Sequence, residues 1–314
     1  MSHIPAQTND AIARAIQFLT LAQLPYGEFP SYRFSDPLLR TSGQFDSSPF
    51  TTCFVLYALR FVSDPIVECL IRNGVNFFLE EREEPGVWRY WSSRNAHRID
   101  ADLDDTCCIS AELKWHSAGF EIMSNEAVIL ANRNSAGLFK TWLRQPEANN
   151  DIDSVVNANV LLYLGERTET TPACSFLNRL IIENREETSY WYYLDNLALY
   201  YMISRAYFNS VQQLNQSKQH IVQRTLARQG PDGSFGGEMF TALALCTLIN
   251  YGLSNEAVEK ALAYLIHTQL KDGSWPPSAF YAGPPPPNAH NVWWGSHELT
   301  TAFCLEGLAR SLTV

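Results

Sequence analysis

No stretch of about 18 or more uninterrupted apolar residues occurs in this chain, and its opening, MSHIPAQTND, has no basic segment leading into an apolar one. A cytoplasmic protein without a membrane span is the expectation. Positive charge is scarce as well: Lys and Arg number 23 against 33 Asp and Glu, the net charge is −10, and no basic run exceeds a pair. Nucleic acid is thereby excluded as a partner. The seven cysteines (53, 69, 107, 108, 174, 246, 304) form no C-x-x-C pair and sit mostly in apolar stretches such as TTCFVLYAL. They read as buried reduced thiols, not as zinc ligands. Strand-like alternation is nearly absent, and no D-D-x-x-D run is present to hold diphosphate-bound magnesium. The acidic run EEREE (80–84) at an outer-helix end reads as a solvated face.

Apolar and aromatic residues are plentiful. Of 314 residues 46% are hydrophobic, enough for one large domain or two ordinary ones. The 17 Phe, 14 Tyr and 8 Trp fall often in connections, where large rings are usually avoided, so they are expected to line something.

One unit recurs: an apolar helix, a turn rich in Gly and aromatics, and a second, more apolar helix. The turns are PYGEFPSY (25–32), EPGVWRYW (84–91), SAGLFKTW (135–142), ETSYWYY (187–193), GPDGSFGG (230–237) and KDGSWPP (271–277). First helices are expected over 11–23, 66–81, 125–133, 173–183, 218–229 and 255–269, second helices over 49–62, 104–117, 152–164, 194–207, 239–251 and 297–310. Six antiparallel pairs predict an all-α fold, a single (α/α)6 barrel of about twelve helices in inner and outer rings, as one domain over 1–314. All six turns then lead inward at one mouth, walled by turn aromatics and inner-helix N-termini.

DADLDDT (100–106) stands on that rim. Capping a helix uses one carboxylate, and this segment supplies Asp100, Asp102, Asp104 and Asp105. Carboxylates crowded in a low-dielectric mouth cannot all ionise, so one is held protonated as a general acid. Facing aromatic walls, its natural base is a carbon–carbon double bond, whose cation the ring faces stabilise.

DLDDT (102–106) resembles the D-x-D-D-T motif of class II terpene cyclases, and QGPDGSFGG and QLKDGSWPP resemble the QW repeats of the squalene–hopene cyclase and prenyltransferase superfamily. The likeness covers nearly the whole chain. Members usually carry two or three domains; this chain has room for the one bearing D-x-D-D, and looks most like the small single-domain cyclases that act on a farnesylated dihydroxybenzoic acid. The resemblance implies Asp104 as the proton donor, Asp102 and Asp105 as its hydrogen-bonding partners, and no metal or other cofactor for that step. A hydrophobic prenylated substrate also implies transient membrane association to collect it.

Further candidates come from the repeat. Asp153 and Asn157, four apart on one face of the next inner helix, are expected to orient Asp104. Trp191, Tyr192 and Tyr193 in SYWYYLDN, with Trp293 and Trp294 in HNVWWGSHE, are candidates to face a cation. His290 and His297 are candidate final proton acceptors. The loop GPPPPNAH (283–290) is expected to be stiff and to cover the mouth. The substrate reading is a farnesylated hydroxybenzoic acid closing to a fused polycyclic meroterpenoid, with free farnesyl diphosphate giving a drimane-type product as the alternative.

Three rivals carry less. A protein prenyltransferase β-like subunit needs a zinc-ligand His before Thr300, and Leu299 stands there. An (α/α)6 glycoside hydrolase needs carboxylates about 6.5–9.5 Å apart across a cleft, whereas these are neighbours in one turn. A binding scaffold has no use for crowded acids facing rings.

Overall fold

The computed structural model describes residues 4–116, 125–144 and 150–313. Among these, twelve α-helices alternate between two rings. The inner ring is α2 (Pro49–Leu59), α4 (Leu103–His116), α6 (Ser154–Leu164), α8 (Asn196–Phe208), α10 (Glu238–Asn250) and α12 (His297–Ser311). The outer ring is α1 (Ile4–Ala22), α3 (Pro65–Glu80), α5 (Glu126–Ala131), α7 (Thr171–Ile182), α9 (Lys218–Leu226) and α11 (Glu256–Thr268). Every residue of α2 and α6 is buried, as an apolar helix without a polar stripe must be; α3 buries only a stripe that includes Val67, Leu70 and Phe77. Each inner helix packs on the next and α12 packs on α2, so the ring closes. The expected inner-helix end at Ser117 lies outside the described residues. No helix among them is long and apolar enough to cross a membrane.

The turns hold the two rings in register through side chains that the repeat supplies. Gln23, Gln229 and Gln269 each donate from Nε2 to the carbonyl of the turn glycine four residues on and to a carbonyl of the next outer helix, Leu70, Ala257 and Ala11 respectively. The last of these joins α11 to α1 and seals the outer ring. The glycines themselves sit against backbone: at Gly273, φ +90°, an added Cβ would lie 2.2 Å from the Arg14 carbonyl oxygen. The turn aromatics Phe29, Trp88, Phe139, Phe235 and Trp275 are 0–1% exposed. Their backbone N–H groups donate to Thr52, Thr106, Asn157, Thr241 and Thr301 in the first turns of the inner helices. These rings are struts between the layers, a correction to the expectation that the turn aromatics as a class line the mouth.

Four short strands form where none was expected. β1 (Tyr32–Phe34), β2 (Gln44–Phe45), β3 (Tyr281–Gly283) and β4 (Val292–Gly295) make one antiparallel sheet in the order β2-β1-β4-β3. Strands of two to four residues are too short for alternation to register in a sequence. This sheet ties the first turn of the ring to the last over the cavity, with Tyr32 opposite Gly295 and Phe34 opposite Trp293. The Pro-rich loop leaves β3 there, and Gly283, Pro284 and Pro285 form part of the cavity wall.

Candidate active site

The acidic cluster occupies the start of α4, where one member does what helix chemistry asks. Asp102 precedes the helix and its Oδ1 accepts the backbone N–H of Asp105 at 2.8 Å, a cap for an otherwise orphaned donor. Asp105 packs beneath it, 3% exposed, with Oδ1 bonded to nothing among the described residues. Burial, then the neighbouring carboxylates, push the carboxyls of Asp102 and Asp105 well up, so the pair retains a proton at neutral pH. Asp100 is exposed, outside the cluster. Asp104 is the partly exposed member of the D-x-D-D set and faces the cavity.

Both oxygens of Asp104 are held from other elements. Asn159, in the second turn of α6, donates from Nδ2 to Oδ1 at 2.5 Å, and the Tyr193 hydroxyl, on the loop before α8, donates to Oδ2 at 2.6 Å. Burial raises the Asp104 carboxyl above the ordinary range; the hydrogen bonds from Tyr193 and Asn159 and the charge of Arg205 pull the other way. Tyr193 keeps its proton, because burial and the Asp104 charge raise its phenol far above the usual value. The result is a carboxyl that burial holds above the ordinary range and whose anion, once the proton has left, already has donors in place.

The cavity in front of Asp104 has a volume of about 420 Å³. Eight aromatic residues line it: Phe50 from α2, Tyr90 and Trp91 at the end of the second turn, Trp142 at the end of the third, Tyr192 and Tyr193 in the fourth, Tyr281 of β3 and Trp294 of β4. Tyr281 stacks on Trp294 with centroids 5.6 Å apart and meets Phe50 and Tyr90 edge-on. Buried Asp46 fixes two of the indoles, accepting Nε1 of Trp294 at 2.7 Å and of Trp91 at 3.1 Å. At the mouth, Arg33 on β1 meets His97, whose ring packs on Trp91 at 4.8 Å. Among the described residues no carboxylate lies within ion-pair distance of Arg33.

Several expected site residues are placed elsewhere. Asn157 grips the Phe139 backbone from both ends, accepting its N–H and donating to its carbonyl at 3.0 Å each, and so points away from Asp104. It fills the position where four other repeats carry Thr52, Thr106, Thr241 and Thr301, a correspondence available in the aligned repeats. Asp153 is the cap of α6, bonded to the N–H groups of Val155, Val156 and Trp191 and fully buried. Trp191 donates its indole N–H to Ile152 and does not reach the cavity wall. Trp293 is also off the wall, because strand alternation turns it to the face opposite Trp294. His297 lies near Trp275 O and Ser274 Oγ at the helix start, and His290 near Pro284 O; neither lines the cavity. Tyr192, Tyr193 and Trp294 line the cavity. Neither Asp102 nor Asp105 bonds to the carboxyl of Asp104, whose side-chain partners among the described residues are Asn159 and Tyr193. The residues that sequence reasoning did not single out are Asn159 in this role, Arg205, Phe50, Tyr90, Trp142 and Tyr281.

No protein-family model and no curated protein matches the chain. Solved structures do. The type II terpene cyclase MstE from Scytonema, in a complex with its substrate geranylgeranyl dihydroxybenzoate, aligns with TM-score 0.78 at 17% identity over 100% of this chain and 99% of that one. Another MstE structure holds merosterolic acid A as product. The ent-copalyl diphosphate synthase from Streptomyces platensis aligns at TM-score 0.57 and 16% identity, over 84% of this chain and 50% of that chain. The GH76 alpha-mannanase BT2949 from Bacteroides thetaiotaomicron aligns at TM-score 0.59 and 11% identity, over 98% and 96%. The chain therefore has the helical-barrel fold of MstE from end to end, an architecture that carries terpene cyclases and a mannanase alike.

Proposed function

We propose that the protein is a proton-initiated, class II terpene cyclase with Asp104 as its acid. One observation carries this reading: the partly exposed carboxyl of the crowded set opens onto an aromatic cavity, with donors waiting on both of its oxygens. A sugar hydrolase would instead present carboxylates across a cleft. Asp104 gives its proton to the terminal alkene of a prenyl chain, leaving a carboxylate and a tertiary carbocation. Neighbouring π-bonds attack that cation in sequence and close rings, and the faces of Tyr281, Trp294, Tyr90 and Tyr192 stabilise positive charge as it moves, each worth about 0.5–2 kcal/mol. Loss of a proton, or attack by an attached aromatic ring, ends the sequence. Asp102 and Asp105 act through their charge and their shared proton.

The substrate we infer is a prenylated hydroxybenzoic acid. MstE acts on such a molecule, with a geranylgeranyl chain rather than the farnesyl chain expected of this group of cyclases. Arg33 and His97 stand at the mouth where an anionic head group would lie, and a carboxylate suits a planar guanidinium. Leu38 and Phe45, exposed near Arg33, suit transient contact with the membrane that holds the substrate. One barrel, taken as a single domain over 1–314, supplies acid, cavity and cover.

The test is incubation of purified protein with farnesylated and geranylgeranylated dihydroxybenzoate and with farnesyl diphosphate, followed by product analysis. Polycyclic product from a benzoate substrate is expected, with turnover falling by at least about 10²-fold in Asp104→Asn. If no substrate is consumed, or the variant cyclises as well as the parent, the reading is wrong. Product from farnesyl diphosphate alone would replace the meroterpenoid reading with the drimane-type one.

A further inference from the structure

Arg205 is among the largest fully buried side chains of the protein, and it has no carboxylate within ion-pair distance among the described residues. From α8 it reaches three other inner helices: its guanidinium lies 5.1 Å from the rings of Phe54 and Tyr57 on α2, Nη2 is 3.5 Å from Cys108 Sγ on α4, and Nη2 donates to Asn159 Oδ1 on α6 at 2.7 Å. A 2% exposed guanidinium is costly unless something offsets it. The rings of Phe54, Tyr57 and Tyr201 do part of this. The rest lies one amide away, at Asp104.

Guanidinium has donors only. Its bond to Asn159 Oδ1 therefore fixes which end of the amide faces Asp104: the NH₂, which donates to Asp104 Oδ1. We propose that Arg205 is a positioning residue for the acid, locking the Asn159 amide as a donor and placing a fixed positive charge behind the carboxylate that forms when the proton leaves. This rests on the cyclase reading and adds to it the source of the acid's strength. Apart from the donors Tyr193 and Asn159, the surroundings of Asp104 oppose ionisation: burial, Asp102 and Asp105 on α4, and Asp153 at the head of α6, while Glu112, two turns further along α4, faces His116, Arg60 and Arg205. Tyr193, Tyr57 and Tyr201 are neutral phenols, and Cys53 and Cys108 neutral thiols. Among the described residues Arg205 is the cation whose charge acts to lower the Asp104 carboxyl.

The experiment follows Asp104 itself, by pH-dependent infrared difference spectra of its carboxyl (parent minus Asp104→Asn), alongside kinetics. In Arg205→Gln, which retains a donor but loses the charge, the Asp104 midpoint is expected to rise by about one pH unit or more. The kcat should fall roughly tenfold while KM changes little, because a weaker acid slows proton transfer and leaves binding alone. The high-pH limb of the rate profile should move up with the midpoint. Arg205→Lys, keeping the charge, should hold the midpoint nearer the parent value. An unmoved or lowered midpoint overturns the proposal, as does a loss confined to KM. Should the Gln variant fail to fold, the guanidinium nitrogen resonance of Arg205 reports the same coupling in folded protein. It must shift with the Asp104 titration in the parent and stay still in Asp104→Asn; a resonance that ignores the titration defeats the idea. None of the spectroscopic readouts needs turnover, so inactivity towards every substrate would defeat the cyclase reading while leaving this one decided separately.

Discussion

Advancing two residues along an α-helix turns a side chain through about 200°. On α6 that rotation separates Asn157, which faces outward to brace the third turn, from Asn159, which faces the barrel axis and Asp104. The two should therefore fail differently. Asn157→Ala strips partners from the buried N–H and C=O of Phe139 and is expected to cost about 1–3 kcal/mol of stability, read by chemical denaturation, with kcat of the remaining folded protein near normal. Asn159→Ala also costs stability, because it strips an acceptor from the buried Arg205 guanidinium, and on the proposed reading it additionally lowers kcat by at least about tenfold, since it removes a donor from the Asp104 anion. Equal kinetic damage from both would contradict this division. Asp104 and the D-x-D-D pattern were legible in the sequence because crowding of acids is itself a sequence feature. Asn159 was not, since only the packing of α6 on α4 says which of two asparagines meets the acid.

At the scale of elements, the turns act as clamps, and Gly27, Gly233 and Gly273 each lie against the backbone of a neighbouring outer helix. Gly273→Ala forces a Cβ to within 2.2 Å of the Arg14 carbonyl and adds the strain of a positive φ, so α1 must move off α11. A loss of about 2–4 kcal/mol in denaturant unfolding is expected. Gly252→Ala, also at positive φ but with nothing within 4 Å, should cost only about 1 kcal/mol. Similar losses at both would show that the close approach is unimportant. The sheet over the mouth is a second such device, and Asp46 is its anchor. Asp46→Ala releases the indoles of Trp91 and Trp294 and is expected to raise KM severalfold more than it lowers kcat, because the wall loosens while the acid stays in place. Helices were readable from apolar periodicity, and the structure adds their caps, Ser48, Asp64, Asn255 and Ser296 among them. The sheet was not, because its strands pair residues from opposite ends of the chain.

The whole molecule carries a signature of its buried acids. Burial raises the carboxyls of Glu28, Asp102, Asp104, Asp105, Glu112 and Glu298, and raises Asp153 to about 7. The native state thus binds more protons than the unfolded chain between about pH 4 and the folded values, and stability falls as pH rises through that window. Melting temperature is expected to be higher near pH 5 than near pH 8, and Asp153→Asn should flatten part of the slope around pH 7. A melting temperature that climbs steadily from pH 5 to pH 8 would show that these groups are ionised in the native state. If Asp104 is the acid as proposed, activity should fall in the same direction, since it works only while protonated.

The sequence by itself determined the twelve-helix barrel, the mouth at which the turns gather and the carboxylate cluster that stands there. Each of these follows from local pattern: apolar periodicity, a repeated glycine and aromatic turn, and like charges packed into one helix start. Tertiary structure alone decided which aromatic residues are struts and which are walls, which asparagine serves the acid, and that Arg205 lies beneath it. Those assignments depend on the rotation of one helix against another and on pairing between distant loops, and a burial pattern that is apolar on every side of an inner helix holds no record of which side faces the axis.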